Sequence, residues 1–166
     1  MAKKEEIIEE DDLGLEDYQK DVVLLQTHNK INQDLNGEII VMEHGYVEVR
    51  LTTKPEMVAD KYGLIHGGFI FAAADYAAMA SVNEKNVVLV ASDCQFLSPV
   101  KLHDEVNFVA KVRHKEGRKR NVNVEGFVYD IKVFEGEFKT VITERHVLKL
   151  KLLEEEENAK IGSQEE

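Results

Sequence analysis

From Phe69 to Val82 the chain reads FIFAAADYAAMASV, fourteen residues almost entirely apolar or small, with one carboxylate, Asp75, near the middle. This run constrains the fold more than any other feature. Alanine is the best helix former, and five alanines among residues 72–78 keep a helix slim enough for a sheet to wrap closely around it. The run falls short of the roughly 18 to 20 residues of a membrane span and would place Asp75 near a bilayer centre. A buried helix is expected instead. A charged, buried and unpaired carboxylate costs several kcal/mol, so Asp75 must be paired, neutralised or reached by solvent.

Ahead of the run, LEDYQKDVVLLQTHNKINQDLNG sets Val22, Val23, Leu25, His28 and Ile31 near helical spacing and predicts an amphipathic helix stopped by Gly37. EIIVMEHGYVEVRLTTK alternates about His44-Gly45, the pattern of a hairpin, and Pro55 ends it. Beyond Asn83 everything to Leu153 reads as strand. VVLVASDCQFLSPV is one strand, and DEVNFVAKVRH puts Val106, Phe108, Ala110 and Val112 on one face. RNVNVEGFVYDIKVF alternates Val122, Val124 and Val128, and EFKTVITERHVLKLKL closes the set, with KEGRK and FEGEF as turns. The expected class is α+β, a single domain over residues 18–153 with the long helix on one face of a curled antiparallel sheet.

Charge is unevenly distributed along the 166 residues. Residues 1–17 carry two Lys against eight acidic groups and residues 154–166 one Lys against six, so the body between has 18 charges of each sign and the whole chain −11. Both acidic ends are expected to be disordered tails, because they hold too little apolar surface to offset ordering entropy. They argue against nucleic acid as a partner, which favours a basic face. The single Cys94 excludes an intramolecular disulfide and fits a reducing compartment; MAKKEEIIEEDD lacks the apolar core of a secretory signal. A cytoplasmic location without membrane attachment is expected.

The motif HGG, His66 to Gly68, stands immediately before the apolar run. Two glycines at a helix start leave backbone N–H groups unshielded at the positive end of the dipole, where they can polarise a carbonyl or hold an oxyanion. His66, Gly67 and Gly68 form a candidate electrophilic corner, and Asp75 a candidate base or nucleophile. Nine residues of helix from His66 to Asp75 rise roughly 13 Å, too far for one copy to bring both ends to the same small atom. If the two cooperate, they come from antiparallel helices in a homodimer with two shared sites.

HGGFIFAAADYAAMASVN, SDCQFLSPVKLHDEV and GRKRNVNVEGFVYD together resemble the hotdog-fold acyl-CoA thioesterases of the phenylacetate-pathway and 4-hydroxybenzoyl-CoA thioesterase type, over about residues 38–150. The resemblance implies a sheet wrapped round the central helix and assembly as a dimer or a dimer of dimers. It also implies hydrolysis of an acyl-CoA, with Asp75 attacking the thioester or activating water, the Gly68 amide polarising the carbonyl and His66 shaping that corner. No metal and no cofactor are implied beyond the coenzyme A of the substrate. Two departures stand out: Asp60 occupies the place where many members have Asn, and could raise the pKa of Asp75 if the two approach. His103-Asp104 replaces the usual Gly-Asp, which reads as a turn adjustment.

From Lys111 to Arg120 the chain carries six basic residues against Glu116, a local excess of +5. Such a stretch is either a solvated hairpin protecting an edge or a grip for phosphates. The resemblance implies the latter, giving a substrate-binding set of Gly67, Asp60, Asn83, Arg113, Arg118, Lys119 and Arg120. His28, His44, His103, His114 and His146 are too scattered in sequence for a metal set. The alternative is a non-catalytic hotdog that senses an acyl-CoA or acyl-carrier ligand, because the chain also resembles the effector domain of bacterial fatty-acid-synthesis regulators. Residues 1–37 are too short and acidic for the DNA-binding helix-turn-helix of those regulators, and a buried acid suits catalysis better than an apolar pocket. A hydratase would want a His beside the acid on the helix, and none follows Asp75.

Overall fold

The computed structural model describes residues 22–162. An extended arm leads into a one-turn helix α1 (Gln33–Asn36), the hairpin β1 (Glu38–Glu43) and β2 (Tyr46–Thr52), and the helix α2 (Gly67–Val82). Four strands follow, β3 (Val87–Phe96), β4 (Glu105–Glu116), β5 (Lys119–Val128) and β6 (Ile131–Ile142), and then the helix α3 (Val147–Gly162). All strand pairs are antiparallel, in the order β1-β2-β4-β5-β6-β3. Register shifts mark bulges on β1, β3, β4 and β6, which bend strands and strengthen their twist. The sheet therefore curls round α2, as the hotdog arrangement requires.

α2 starts where Gly67 and Gly68 follow an extended His66 and stops where Asn83 turns left-handed and donates its N–H to the Met79 carbonyl at 2.9 Å. Its alanines meet the sheet directly: Ala73, Ala74, Ala77, Ala78 and Ala80 are fully buried against Val47, Val49, Leu51, Val106, Phe108, Val122 and Val124. Fully burying a side chain the size of Phe108, Phe134 or Phe138 contributes about 1.5–3 kcal/mol, and these rings pack in series with centroids 6.0 and 6.3 Å apart.

Three expectations fail. Residues 22–32 form no helix; the arm is irregular, with a left-handed backbone at His28, because it is held from outside: Asn83 accepts the Gln26 N–H at 2.7 Å and donates to the Leu24 carbonyl at 2.9 Å. The predicted turn FEGEF lies inside β6. Gly136 is there because a Cβ would stand 2.8 Å from Cys94 Sγ and 3.2 Å from the Asp93 carbonyl, and the real turn is Tyr129-Asp130, with Tyr129 left-handed at φ 54°. RNVNVEGFVYDIKVF is thus two strands. The third failure is the end of the chain, since VLKLKL is not a strand: residues 147–162 are helical, including nine residues placed in the acidic tail. The other tail, residues 1–17, lies outside the described residues. Among those described, no helix is long and apolar enough to cross a membrane.

Candidate functional site

The loop before α2 is fixed by its own ladder. Ile65 and His66 donate their N–H groups to the carbonyls of Val100 (2.8 Å) and Met57 (2.9 Å). Asp60 turns its carboxylate inward on the loop, accepting from the N–H groups of Tyr62 (2.8 Å) and Leu64 (3.2 Å). Asp60 is therefore a loop former. His103 takes a left-handed backbone, φ 80°, so the substitution for the usual Gly is accommodated by a residue adopting a glycine conformation.

At the helix start the His66 side chain makes no capping bond, and the Gly67 and Gly68 amides are the orphan donors of the first turn. Gly68 is exposed, and the His66 ring lies over it: a Cβ on Gly68 would stand 2.9 Å from Nε2. Beside Gly67 an apolar hollow of about 210 Å³ is lined by Leu64, Ile70, Phe96, Pro99 and Val133 among others.

Gly68 and Asp75 are seven residues apart, about 700° of rotation, so they share one face of α2 about 10 Å apart along the axis. That face is the one the sheet leaves uncovered. Gly68 is exposed there, while Phe71, Ala72 and Asp75 are half-buried. Asp75 Oδ1 is buried without a hydrogen-bond partner, and burial pushes the carboxyl up to about 6. No neighbouring charge contributes, so the expected influence of Asp60 is absent in this chain's own fold. Across the opening, Ser92, Cys94 and Phe96 pair with Phe138, Gly136 and Phe134 and so face the helix side of β3. Burial pushes the Cys94 thiol up, with the Asp75 carboxylate among the weaker causes, which places the two groups within electrostatic reach.

β3 borders that opening as an edge strand of ten residues, hydrogen-bonded on one side only, with Val90 and Phe96 more than half exposed. Sequence reasoning missed this edge, because alternation reveals which face of a strand is apolar and not which strand lacks a neighbour.

The remaining predicted residues stand elsewhere. Asn83 caps α2 and spends its side chain on the arm. The basic β4–β5 hairpin lies toward the same end: Val112 N–H donates to the Gly45 carbonyl, and Lys115 lines a groove with Val22, Leu24 and Asn83. Arg118 is ion-paired with Glu144, and Arg120 donates to the carbonyls of Gly117 (2.7 Å) and Lys119 (2.9 Å). One copy of the chain thus gathers His66, Gly67 and Gly68 at one end of α2 and Asn83 at the other, with Asp75 between; Arg113, Arg118, Lys119 and Arg120 do not meet the HGG corner.

A second hollow, about 400 Å³ on the outer face of the sheet, is lined by Asp93, Glu125, Glu135 and Glu137. Lys132 bridges two of these acids, at 2.7 Å to Glu125 and 3.2 Å to Glu135, and they hold its ammonium group above the usual range.

Residues 62–135 match the thioesterase superfamily. Among curated proteins, the methylthioribose-1-phosphate isomerase of Aquifex aeolicus is 51% identical over 117 residues, which are 70% of this chain and 26% of that protein. The transcription factor FapR of Staphylococcus aureus is 31% identical over 114 residues, 68% of this chain and 62% of FapR. The chain thus spans about a quarter of the first relative's length and under two thirds of the second's. Among solved structures, the uncharacterised protein PH1136 from Pyrococcus horikoshii superposes with a TM-score of 0.75 at 42% identity, covering 76% of this chain and 97% of that one. The PaaI protein from the phenylacetic acid degradation operon of E. coli superposes with a TM-score of 0.62 at 25% identity, covering 68% and 83%. With its six-stranded sheet curled round an HGG-initiated helix, the chain belongs to the hotdog-fold thioesterase superfamily.

Proposed function

We propose that the protein is a homo-oligomeric acyl-CoA thioesterase. The observation that carries the reading is Asp75: a carboxyl with an unpartnered buried oxygen and a pKa of about 6, on the uncovered face that also presents the Gly68 amide. Such a group is poised for general-base work near neutral pH. In the base route Asp75 accepts a proton from water as the water oxygen attacks the thioester carbonyl. The Gly68 amide stabilises the oxyanion, and on collapse the C–S bond breaks and the thiolate leaves with the proton. In the covalent route the carboxylate itself attacks, coenzyme A departs, and water hydrolyses the resulting anhydride. Single-turnover hydrolysis in 18O-water identifies the covalent route when the anhydride opens by attack of water at the aspartyl carbonyl, because only then does a 16O atom pass from Asp75 to the first product; trapping the acyl-enzyme with hydroxylamine covers attack at the acyl carbonyl.

The 10 Å between Gly68 and Asp75 supports two sites, each combining Gly68 of one copy with Asp75 of a second copy of the chain. The free edge of β3 and its exposed Val90 and Phe96 support pairing there. A second reading, a non-catalytic acyl-CoA sensor, is favoured by the match to transcription factor FapR.

The deciding measurement is coenzyme A release from short, medium, long and aromatic acyl-CoAs by wild type and Asp75→Ala, both checked for folding and oligomeric state. Loss of about a hundredfold or more in the variant is the expected outcome. Binding of acyl-CoA without turnover by wild type refutes the enzyme and leaves the sensor.

A further inference from the structure

Three stretches distant in sequence meet around a groove of about 580 Å³: the arm at residues 26–30, the turn into β3 at 85–88, and the root of α3 at 146–147. The walls are tied together. Asn86 donates its side-chain amide to the Glu144 carbonyl at 3.3 Å, and the Thr143 N–H returns to the Asn86 carbonyl at 3.2 Å. The arm is held by Asn83, and Thr27 is buried with its hydroxyl 2.7 Å from His28 Nδ1.

The charge lining this groove is unlike that of the chain as a whole. Although the protein carries −11, the groove presents Lys30, Lys85, His28 and His146 and no carboxylate. Neither lysine has an ion-pair partner among the described residues, whereas Glu144, the nearby acid on the α3 side, is already paired with Arg118. His28 adopts a left-handed backbone, φ 55°, a conformation that a non-glycine residue keeps only where its surroundings enforce it. Val87, Val88 and Val147 supply an apolar wall.

We propose that this groove is a binding site for a phosphate-bearing ligand of nucleotide size, with Lys30 and Lys85 as its phosphate contacts. Two unpaired ammonium groups on separate elements offer more positive charge than a single carboxylate uses and suit the several oxygens of a phosphate or diphosphate, while burial lowers the His28 pKa and makes that ring a hydrogen-bonding edge and not a charge. The volume lies within the range of small-molecule pockets, and the valine wall gives the non-ionic part of the ligand a surface. The site does not depend on the thioesterase reading, since neither Asp75 nor the HGG corner lines it.

The test is calorimetric titration of the intact oligomer with two probes, ADP and free coenzyme A. At least one binds wild type, and Lys30→Glu/Lys85→Glu weakens that binding at least tenfold; Lys30→Gln/Lys85→Gln, which removes the charge without reversing it, weakens it in the same direction. Asp75→Asn leaves ADP binding unchanged while removing hydrolysis, which separates this site from the catalytic proposal. If ADP and coenzyme A compete, the groove holds the nucleotide end of coenzyme A; if both bind at once, it holds a free nucleotide. Wild type that binds neither probe at millimolar concentration, or folded double variants that bind as tightly as wild type, overturns the site.

Discussion

Replacing Asp75 by Asn should stabilise the protein at neutral pH while abolishing its chemistry. The carboxyl titrates at about 6 in the folded chain against 3.8 as a free side chain, and burial is the cause. Between these two values the unfolded chain has lost the proton that the folded chain retains, so stability falls as pH rises through that window and levels off above it. A shift of about two units corresponds to about 3 kcal/mol at pH 7.5, and less than about 1 kcal/mol at pH 4. Asn has no charge to desolvate but still buries a polar amide where Oδ1 lacks a partner, so the net gain at pH 7.5 is about 1–3 kcal/mol. For a chain of this size that is roughly 3–10 °C in Tm. Thermal unfolding of both proteins at pH 7.5 and pH 4, at equal concentration and with oligomeric state checked, reads the difference. The gap should be wide at pH 7.5 and nearly closed at pH 4. An equal gap at both pH values, or an Asn variant less stable at pH 7.5, would refute the argument by showing that the assembled protein satisfies the carboxylate.

Gly68→Ala places a Cβ against the tip of the exposed His66 ring, which can swing aside, so Tm should change little while kcat/KM for an acyl-CoA falls because the methyl group shields the amide. Gly136→Ala has no such escape: its Cβ meets Cys94 Sγ at 2.8 Å and the Asp93 carbonyl at 3.2 Å, and urea unfolding should show a loss of about 1–3 kcal/mol. Asn83→Gly retains a left-handed helix end but removes both side-chain bonds to the arm, so hydrogen exchange should accelerate at Gln26 with little change in the core of α2. Val90→Lys on the free edge of β3 should shift the sedimentation coefficient toward the monomer and lower turnover in proportion; an unchanged oligomer would place the interface elsewhere.

Where the sequence was informative, the signal was local. The helix over Phe69–Val82 follows from its alanine-rich composition, and its stop at Asn83, the His44-Gly45 hairpin and the face of β4 from turn chemistry and alternation within a dozen residues. The failures were imposed from a distance. The arm's spacing is helical, yet it is held by Asn83, 57 and 59 residues away along the chain. Gly136 looks like a turn residue but is a strand residue with Cys94 pressed against it, while the true turn uses Tyr129, a residue type that does not announce a positive φ. VLKLKL alternates like a strand but continues into a run of glutamates that favours helix. At the site, the HGG corner and Asp75 were legible because two glycines before an apolar run and an acid within it are anomalies of composition. The open edge of β3 and the cation-lined groove were not, since both arise only when strands far apart in sequence are laid side by side.

The alanines of α2 have a further consequence, for how this scaffold tolerates change. Ala73, Ala74, Ala77, Ala78 and Ala80 have no free surface, so any larger side chain there must displace a strand. Three sides of the helix are thereby closed to variation, and drift in sequence is confined to the fourth, which bears Gly68, Phe71, Ala72 and Asp75. A protein built this way separates, on a single helix of sixteen residues, the residues that hold it together from those the thioesterase reading turns toward the substrate. On the thioesterase reading, an exchange at Ala72 is expected to change acyl preference while the sheet around the other three sides remains as it is, whereas Phe71 is also tied to the core through Phe138, with ring centroids 5.6 Å apart.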